Sequence, residues 1–141
     1  MKLSTRGRYS ARLMLELALR YGRGPVLLKD VCESQEMSLK YLSQLIIPLK
    51  IAGLISSSRG AHGGYFLARP PEKIKLSEVI IAVEGSVDIV ECVANPEICN
   101  RSDKCITRDI WAEIGKKCFE TLDSYTLQHI ADRQLEKEKI T

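Results

Sequence analysis

Ser38-Leu39-Lys40-Tyr41-Leu42-Ser43-Gln44-Leu45-Ile46-Ile47-Pro48-Leu49-Lys50, followed by Arg59-Gly60-Ala61-His62-Gly63-Gly64-Tyr65, is the stretch on which the fold turns. Leu39, Leu42, Leu45, Ile46 and Leu49 recur at helical spacing and predict an inner stripe. Lys40, Tyr41, Ser43, Gln44 and Lys50 fall on the opposite face. Ser38 is a good N-cap, and the helix it starts is expected to end near Gly53. Pro48 removes one backbone donor and is expected to kink or loosen the helix after Gln44.

Working outward, Tyr9, Leu13, Leu17 and Tyr21 share one face of a helix predicted over 5–21, with Met14 and Ala18 beside them. Gly22 and Gly24 stop it. A short helix over 28–34 turns Val31 and Cys32 inward, and Gln35-Glu36-Met37 makes a turn. Downstream, 54–57 and 65–67 read as short strands around the glycine-rich loop. Helix, short helix, tight turn, capped helix and hairpin is the order of a winged helix-turn-helix. Pro70-Pro71 ends this unit, 74–76 adds a possible strand, and Ser77 caps a helix through Val83. Residues 85–105 look irregular and hold three cysteines. Ile110, Ile114, Cys118 and Leu122 lie four apart on a long helix over 107–124, with Trp111 and Phe119 alongside. A last short helix covers 127–135 before a frayed tail. The expected fold is therefore mainly α with a small β-wing. It comprises a winged helix-turn-helix (1–84), a cysteine-bearing loop (85–106), and a long dimerisation helix with a C-terminal helix (107–141).

The charge is lopsided in the same sense. The net charge of +3 divides into +7 over residues 1–69 and −4 over 70–141. A basic half on a near-neutral chain is the electrostatic footprint of a polyanion partner. The longest run without Asp, Glu, Lys or Arg is nine residues, too short for a membrane span. Arg12, Glu16 and Arg20 interrupt any apolar segment a signal peptide would need. A cytoplasmic protein is expected, with its five cysteines kept reduced.

In a winged helix-turn-helix, residues near the N-terminus of the second helix of the motif reach base edges in the major groove. Gln44 suits an adenine edge and the small Ser43 permits several contacts, while Lys40 and Lys50 suit phosphates. Arg59 in the glycine-rich loop suits a narrow minor groove, with His62 at DNA or in solvent. Lys2, Ser4, Thr5, Arg6, Arg8 and Tyr9 open the chain with basic and hydroxyl groups for backbone contacts. Ser38 and Tyr41 complete the expected DNA-binding set.

Cys92, Cys99 and Cys105 are separated by six and five residues. Thiolates this close can converge on one metal centre. Their spacing leaves zinc, an iron–sulfur cluster and three unliganded thiols all open. Cys32 and Cys118 sit on apolar helix stripes and read as core or interface residues.

Taken together, the chain resembles the IscR/NsrR family of winged-helix regulators over almost its whole length. The residues that carry the resemblance are Met1-Lys2-Leu3-Ser4-Thr5-Arg6-Gly7-Arg8-Tyr9, Leu39-Lys40-Tyr41-Leu42-Ser43-Gln44-Leu45, Gly53-Leu54-Ile55 and the loop Arg59 to Tyr65. Glu78-Val79-Ile80 and Thr126-Leu127 match later landmarks. The resemblance implies a homodimer built on the long helix, a near-palindromic double-stranded DNA operator, and an iron–sulfur cluster (2Fe-2S or 4Fe-4S) held by Cys92, Cys99 and Cys105. Some relatives lack these cysteines and sense cysteine metabolism through a partner protein.

Two positions depart from the pattern. Members similar to IscR carry a histidine three residues after the last cysteine, where this chain has Arg108, a group that stays protonated. Nitric-oxide-sensing members use an acidic residue where this chain has Arg8. The fourth ligand is therefore unassigned, with Asp103 and Asp109 as candidates.

The expected function is a transcription regulator, in the first place a repressor, whose operator binding follows the state of that cluster. Iron–sulfur status, redox state or nitric oxide would be the signal. A zinc- or thiol-redox-sensing regulator is the nearest alternative. An enzyme is disfavoured, because neither histidine neighbours a cysteine or a helix-borne carboxylate pair in sequence.

Overall fold

Leu13, Met14, Leu17 and Ala18 of α1 (Thr5–Leu19) are buried, as their spacing requires, and they seed the core. Val31 of α2 (Leu28–Gln35) and Leu42, Leu45, Ile46 and Leu49 of α3 (Leu39–Ile51) close over them. The hairpin of β1 (Ile55–Ser58) and β2 (Gly64–Leu67) follows, then α4 (Leu76–Glu84), which packs along α1. A short α5 (Glu91–Ala94), the long α6 (Ile106–Asp123) and α7 (Leu127–Ile140) complete a mainly helical chain with one two-stranded antiparallel sheet. This computed structural model describes residues 2–140. Among them, no helix is long and apolar enough to cross a membrane.

The caps explain the helix starts. The Ser4 hydroxyl accepts from the Gly7 N–H at 3.0 Å, and the Ser38 hydroxyl accepts from the Tyr41 N–H at 3.1 Å. At α7, Thr126 Oγ1 accepts from the His129 N–H at 3.1 Å, and His129 Nδ1 accepts from the Thr126 N–H at 3.2 Å. This reciprocal cap gives His129 a structural role. It also starts a helix that runs to Ile140 rather than ending at 135 in a frayed tail. Leu127 and Ala131 pack α7 back onto α1, so its first turns join the core of the N-terminal half.

Several local expectations are corrected. Residues 74–76 form no strand: a 3-10 turn over Pro71–Lys73 leads into a single bridge between Lys75 and Thr126. The N-cap of α4 is Lys75, whose N–H donates to Glu78 at 2.8 Å. Ser77 lies inside the first turn and donates instead to Asp123 at 2.6 Å. Tyr21 lies beyond the end of α1 and is exposed, because the helix stops at Leu19 before the turn that would bring it inward. Leu39, assigned to the inner stripe, is exposed in the first turn of α3. The helix itself runs on through Pro48, with the Ala52 N–H reaching the Pro48 carbonyl at 3.0 Å. Only the partner for the Gln44 carbonyl is given up, on an exposed residue.

The hairpin pairs Ile55 with Leu67 through to Ser58 with Gly64. It is also tied to the chain before α2, since Val26 and Tyr65 exchange backbone hydrogen bonds of 2.7 and 2.8 Å. Gly64 permits this: a Cβ there would stand 2.5 Å from the Val26 carbonyl oxygen. Ser10 is fully buried, and its hydroxyl finds no partner among the described residues. Opposite effects are expected from two alanine substitutions in urea unfolding. Gly64→Ala should lower stability by about 2 kcal/mol through the clash with backbone. Ser10→Ala should raise it by about 1 kcal/mol by removing an orphaned polar group. A neutral Gly64→Ala would show that the bridge at Val26 yields easily.

Candidate nucleic-acid interface and cysteine loop

α3 is presented to solvent by a polar network beneath the turn that precedes it. Glu16 is buried on α1 and accepts from Arg20 at 2.9 Å and from the Gln35 amide at 2.9 Å. Arg12 Nε donates to the Gln35 side chain at 3.0 Å, and another of its nitrogens donates to the Gln35 carbonyl. The Arg12 guanidinium lies 5.2 Å from the Tyr9 ring centroid, and Tyr9 meets Tyr41 edge-on at 5.5 Å. A buried carboxylate is thus paired, and its partners fix the end of α2 relative to the start of α3. Glu36, between them, takes a left-handed φ of 55°, which turns the chain sharply.

The expected DNA-contacting residues separate into two groups. The side chains of Lys40, Gln44, Arg59 and His62 are exposed and make no hydrogen bond or ion pair among the described residues. Arg59 and His62 stand on the hairpin loop, beside Gly60 with its left-handed φ of 104°. Other members of the set are already engaged within the chain. Ser4 and Ser38 are caps, and Ser4 also donates to Glu84. Thr5 accepts from Arg8 at 3.2 Å. Ser43 donates to the Leu39 carbonyl at 2.9 Å, and Lys50 donates to Ser57 on β1 at 2.7 Å, linking α3 to the hairpin. Tyr41, assigned to the outer face, is half-buried against Tyr9. Lys2 lines a groove between the chain start, α4 and α6.

Cys92, Cys99 and Cys105 lie on the segment that leads into α6. Cys92 lies in α5, Cys99 follows a 3-10 turn over Pro96–Ile98, and Cys105 caps α6. All three are free thiols, Cys99 being exposed and the others half-buried. The segment is locally folded: Ser102 is buried and donates to the Pro96 carbonyl at 2.7 Å. Arg108, three residues after the last of these cysteines, is a strut. Its Nε donates to the Cys92 carbonyl at 2.8 Å and thereby holds α5 against α6. The Cys105 thiol is held below its ordinary range by the hydrogen bond with Thr107 (3.2 Å) and by backbone N–H groups, chiefly that of Arg108.

Three accessible thiols, one of them biased toward thiolate, are the soft donors an iron–sulfur cluster takes. Among the described residues, no three Cys, His, Asp or Glu side chains stand in metal-ligand geometry, so the donor chemistry fits while the loop would have to close to use it. Asp109 lies one turn after Cys105 and Asp103 lies in the preceding 3-10 turn, both exposed.

α6 shows why its apolar spacing does not describe this chain's core. Ile106, Ile110 and Trp111 are exposed and Ile114, Phe119 and Leu122 only half-buried, with Gly115 alone buried on the helix. Its C-terminal end is fixed: Asp123 accepts from Ser77 and pairs with Lys75 at 3.2 Å, contacts that hold its carboxyl below the usual range.

A mainly helical chain with this hairpin and this helix order is a winged helix-turn-helix DNA-binding protein. A family model described as Rrf2, an iron-dependent transcriptional regulator, matches residues 3–133. Protein rrf2 of Nitratidesulfovibrio vulgaris is 42% identical over 127 residues, 90% of this chain and 85% of that protein. The HTH-type transcriptional regulator CymR of Bacillus subtilis is 40% identical over 131 residues, 93% of this chain and 90% of that protein. The solved structure of T. potens IscR is similar, with a TM-score of 0.79 at 39% identity, covering 95% of this chain and 88% of that one. The chain belongs to the Rrf2 family; it is a DNA-binding transcription regulator and not an enzyme.

Sequence reasoning missed the Glu16–Gln35–Arg12 network, which no periodicity announces, and the strut role of Arg108. It also missed Thr107, whose place two residues after Cys105 is a readable signal. In metal-free protein, Thr107→Val is expected to slow alkylation of Cys105 by iodoacetamide at pH 7 about threefold, by returning the thiol toward its ordinary range. Peptide mass spectrometry reads Cys99 as the internal control. Equal Cys105 rates in both proteins would remove Thr107 as the cause.

Proposed function

We propose that the chain is a homodimeric repressor whose operator affinity is set by an iron–sulfur cluster bound at Cys92, Cys99 and Cys105. The observation that carries this reading is the position of the three thiols, at the foot of a helix whose apolar side chains are left exposed at Ile106, Ile110 and Trp111 and only half-buried at Ile114, Phe119 and Leu122. The iron-dependent description of the matching family supports it.

A second copy of α6 suits that face, since Ile106, Ile110 and Trp111 together expose an apolar strip that water penalises. When bound, the cluster would supply three sulfur bonds that tie residues 92–105 into one unit. The chain's own residues do the rest. Arg108 holds Cys92 to the start of α6, and Asp123, Ser77 and Lys75 hold its end to α4. α4 packs along α1, which carries the Glu16 network beneath α3. Two recognition helices must stand about 34–36 Å apart to reach successive half-sites, so a change at the start of α6 alters whether both engage. Lys40, Gln44 and Arg59, unengaged within the chain, are the proposed DNA contacts.

The similarity to CymR, called the global cysteine regulator of B. subtilis, supports a second reading, in which the signal arrives through cysteine metabolism and a partner protein. Oxygen-free purification separates the two. Brown protein with matching iron and sulfide is expected, and Cys99→Ala should lose the colour and change operator affinity at least tenfold. Colourless, metal-free protein that cannot be reconstituted favours the second reading. Wild-type affinity in coloured-to-colourless Cys99→Ala would separate the cluster from DNA control.

A further inference from the structure

α3 carries more apolar surface than its core needs. Leu42, Leu45, Ile46 and Leu49 are buried, yet Ile47 is 59% exposed and Ile51 82% exposed. At 3.6 residues per turn, Ile47 falls within about 20° of Lys40, as does Ile51, and Gln44 lies about 40° to one side. The outermost ridge of the helix is therefore Lys40, Gln44, Ile47 and Ile51, half of it hydrocarbon. Leu39 is exposed too, but it is rotated about 100° away. There it lines the cleft formed with Leu27, Ser57 and Gly63.

We propose that Ile47 is a specificity-determining residue that reads the C5-methyl group of a thymine in the operator. The methyl group is the one apolar feature on the base edges of the major groove, and an exposed isoleucine beside Gln44 has no other apolar surface to meet there. From Gln44 to Ile47 the helix rises about 4.5 Å, little more than one base-pair step of about 3.4 Å. Gln44 suits an adenine edge, so each half-site should carry a thymine one or two base pairs from the adenine that Gln44 contacts. Lys40, exposed and unengaged on this same ridge, suits a phosphate, which favours DNA over a protein partner as the occupant of the ridge.

This inference rests on α3 being the reading helix, and the experiment tests the two ideas separately. The full chain selects duplexes from a random pool, and each thymine of the selected site is then replaced by deoxyuridine, which lacks the methyl group. At fixed salt, a replacement in one half-site is expected to weaken wild-type binding about fourfold, the scale of one buried methyl group. Ile47→Ala, a change at an exposed site, should bind the thymine and deoxyuridine duplexes equally. An unchanged deoxyuridine penalty in Ile47→Ala, or no penalty at any thymine in wild type, overturns the proposal. So does an Ile47→Ala variant that changes oligomeric state while keeping the penalty, which assigns the ridge to protein contact. A Gln44→Ala variant that selects a different site while Ile47→Ala does not would leave α3 as the reader and remove only Ile47. A Gln44→Ala variant that selects the wild-type site would remove both.

Discussion

Residues 74–77 and 123–127 meet side by side, and the rest of the molecule is arranged about that contact. The Leu127 N–H reaches the Ile74 carbonyl and the Leu76 N–H reaches the Tyr125 carbonyl, each at 2.9 Å. Ile74 and Leu127 are both fully buried, so these hydrogen bonds are shielded from water. Ser77 and Lys75 add their bonds to Asp123 at the rim. The start of α4, the end of α6 and the start of α7 therefore move as one piece. That contact anchors the C-terminal end of α6, a helix on which only Gly115 is buried.

From that junction, order passes to the recognition helix through packing and then through polar contacts. α4 lies on α1, and α1 presents Glu16, Arg12 and Tyr9 toward the turn before α3. The same side chains that hold the turn also leave Lys40 and Gln44 unengaged. Polar groups spent on the interior of this half are distinct from those at its surface. That division lets one small domain be both rigid and able to bind. Glu78 shows the same economy: partial burial works against its charge, but the Lys75 N–H and the Arg69 guanidinium outweigh it and keep the carboxyl below its usual range.

The architecture was legible because apolar spacing dictates it. Leu13, Leu17, Leu42, Leu45 and Leu49 repeat at the helical period, and all are buried. Spacing fails where an element stops. Leu39 and Tyr21 match their stripes by number, yet Leu39 lies in the first turn of α3 and Tyr21 past the end of α1, where no neighbouring layer covers them. Pairings of single residues leave no period at all, so the bridges of Val26 with Tyr65 and Lys75 with Thr126 had to be seen. For the site, residue types were enough to single out the thiols and the basic and amide groups. Which of these were already engaged inside the chain depended on neighbours far apart in sequence, such as Lys50 with Ser57.

Arg108 has a consequence that reaches into the entropy of the cysteine segment. A mobile loop must lose conformational freedom to bring its ends together, by an amount that grows as the logarithm of its length. Here a guanidinium already grips the Cys92 carbonyl and Ser102 already anchors Pro96, so that loss is taken during folding rather than on ligation. A ligand bridging Cys92 and Cys105 therefore meets less of this cost than it would in an open loop of the same length. Free energy not used in closing the loop is left over for the bonds to the thiols, so the affinity of the segment for a bridging ligand is set partly by two side chains, Arg108 and Ser102, that carry no sulfur.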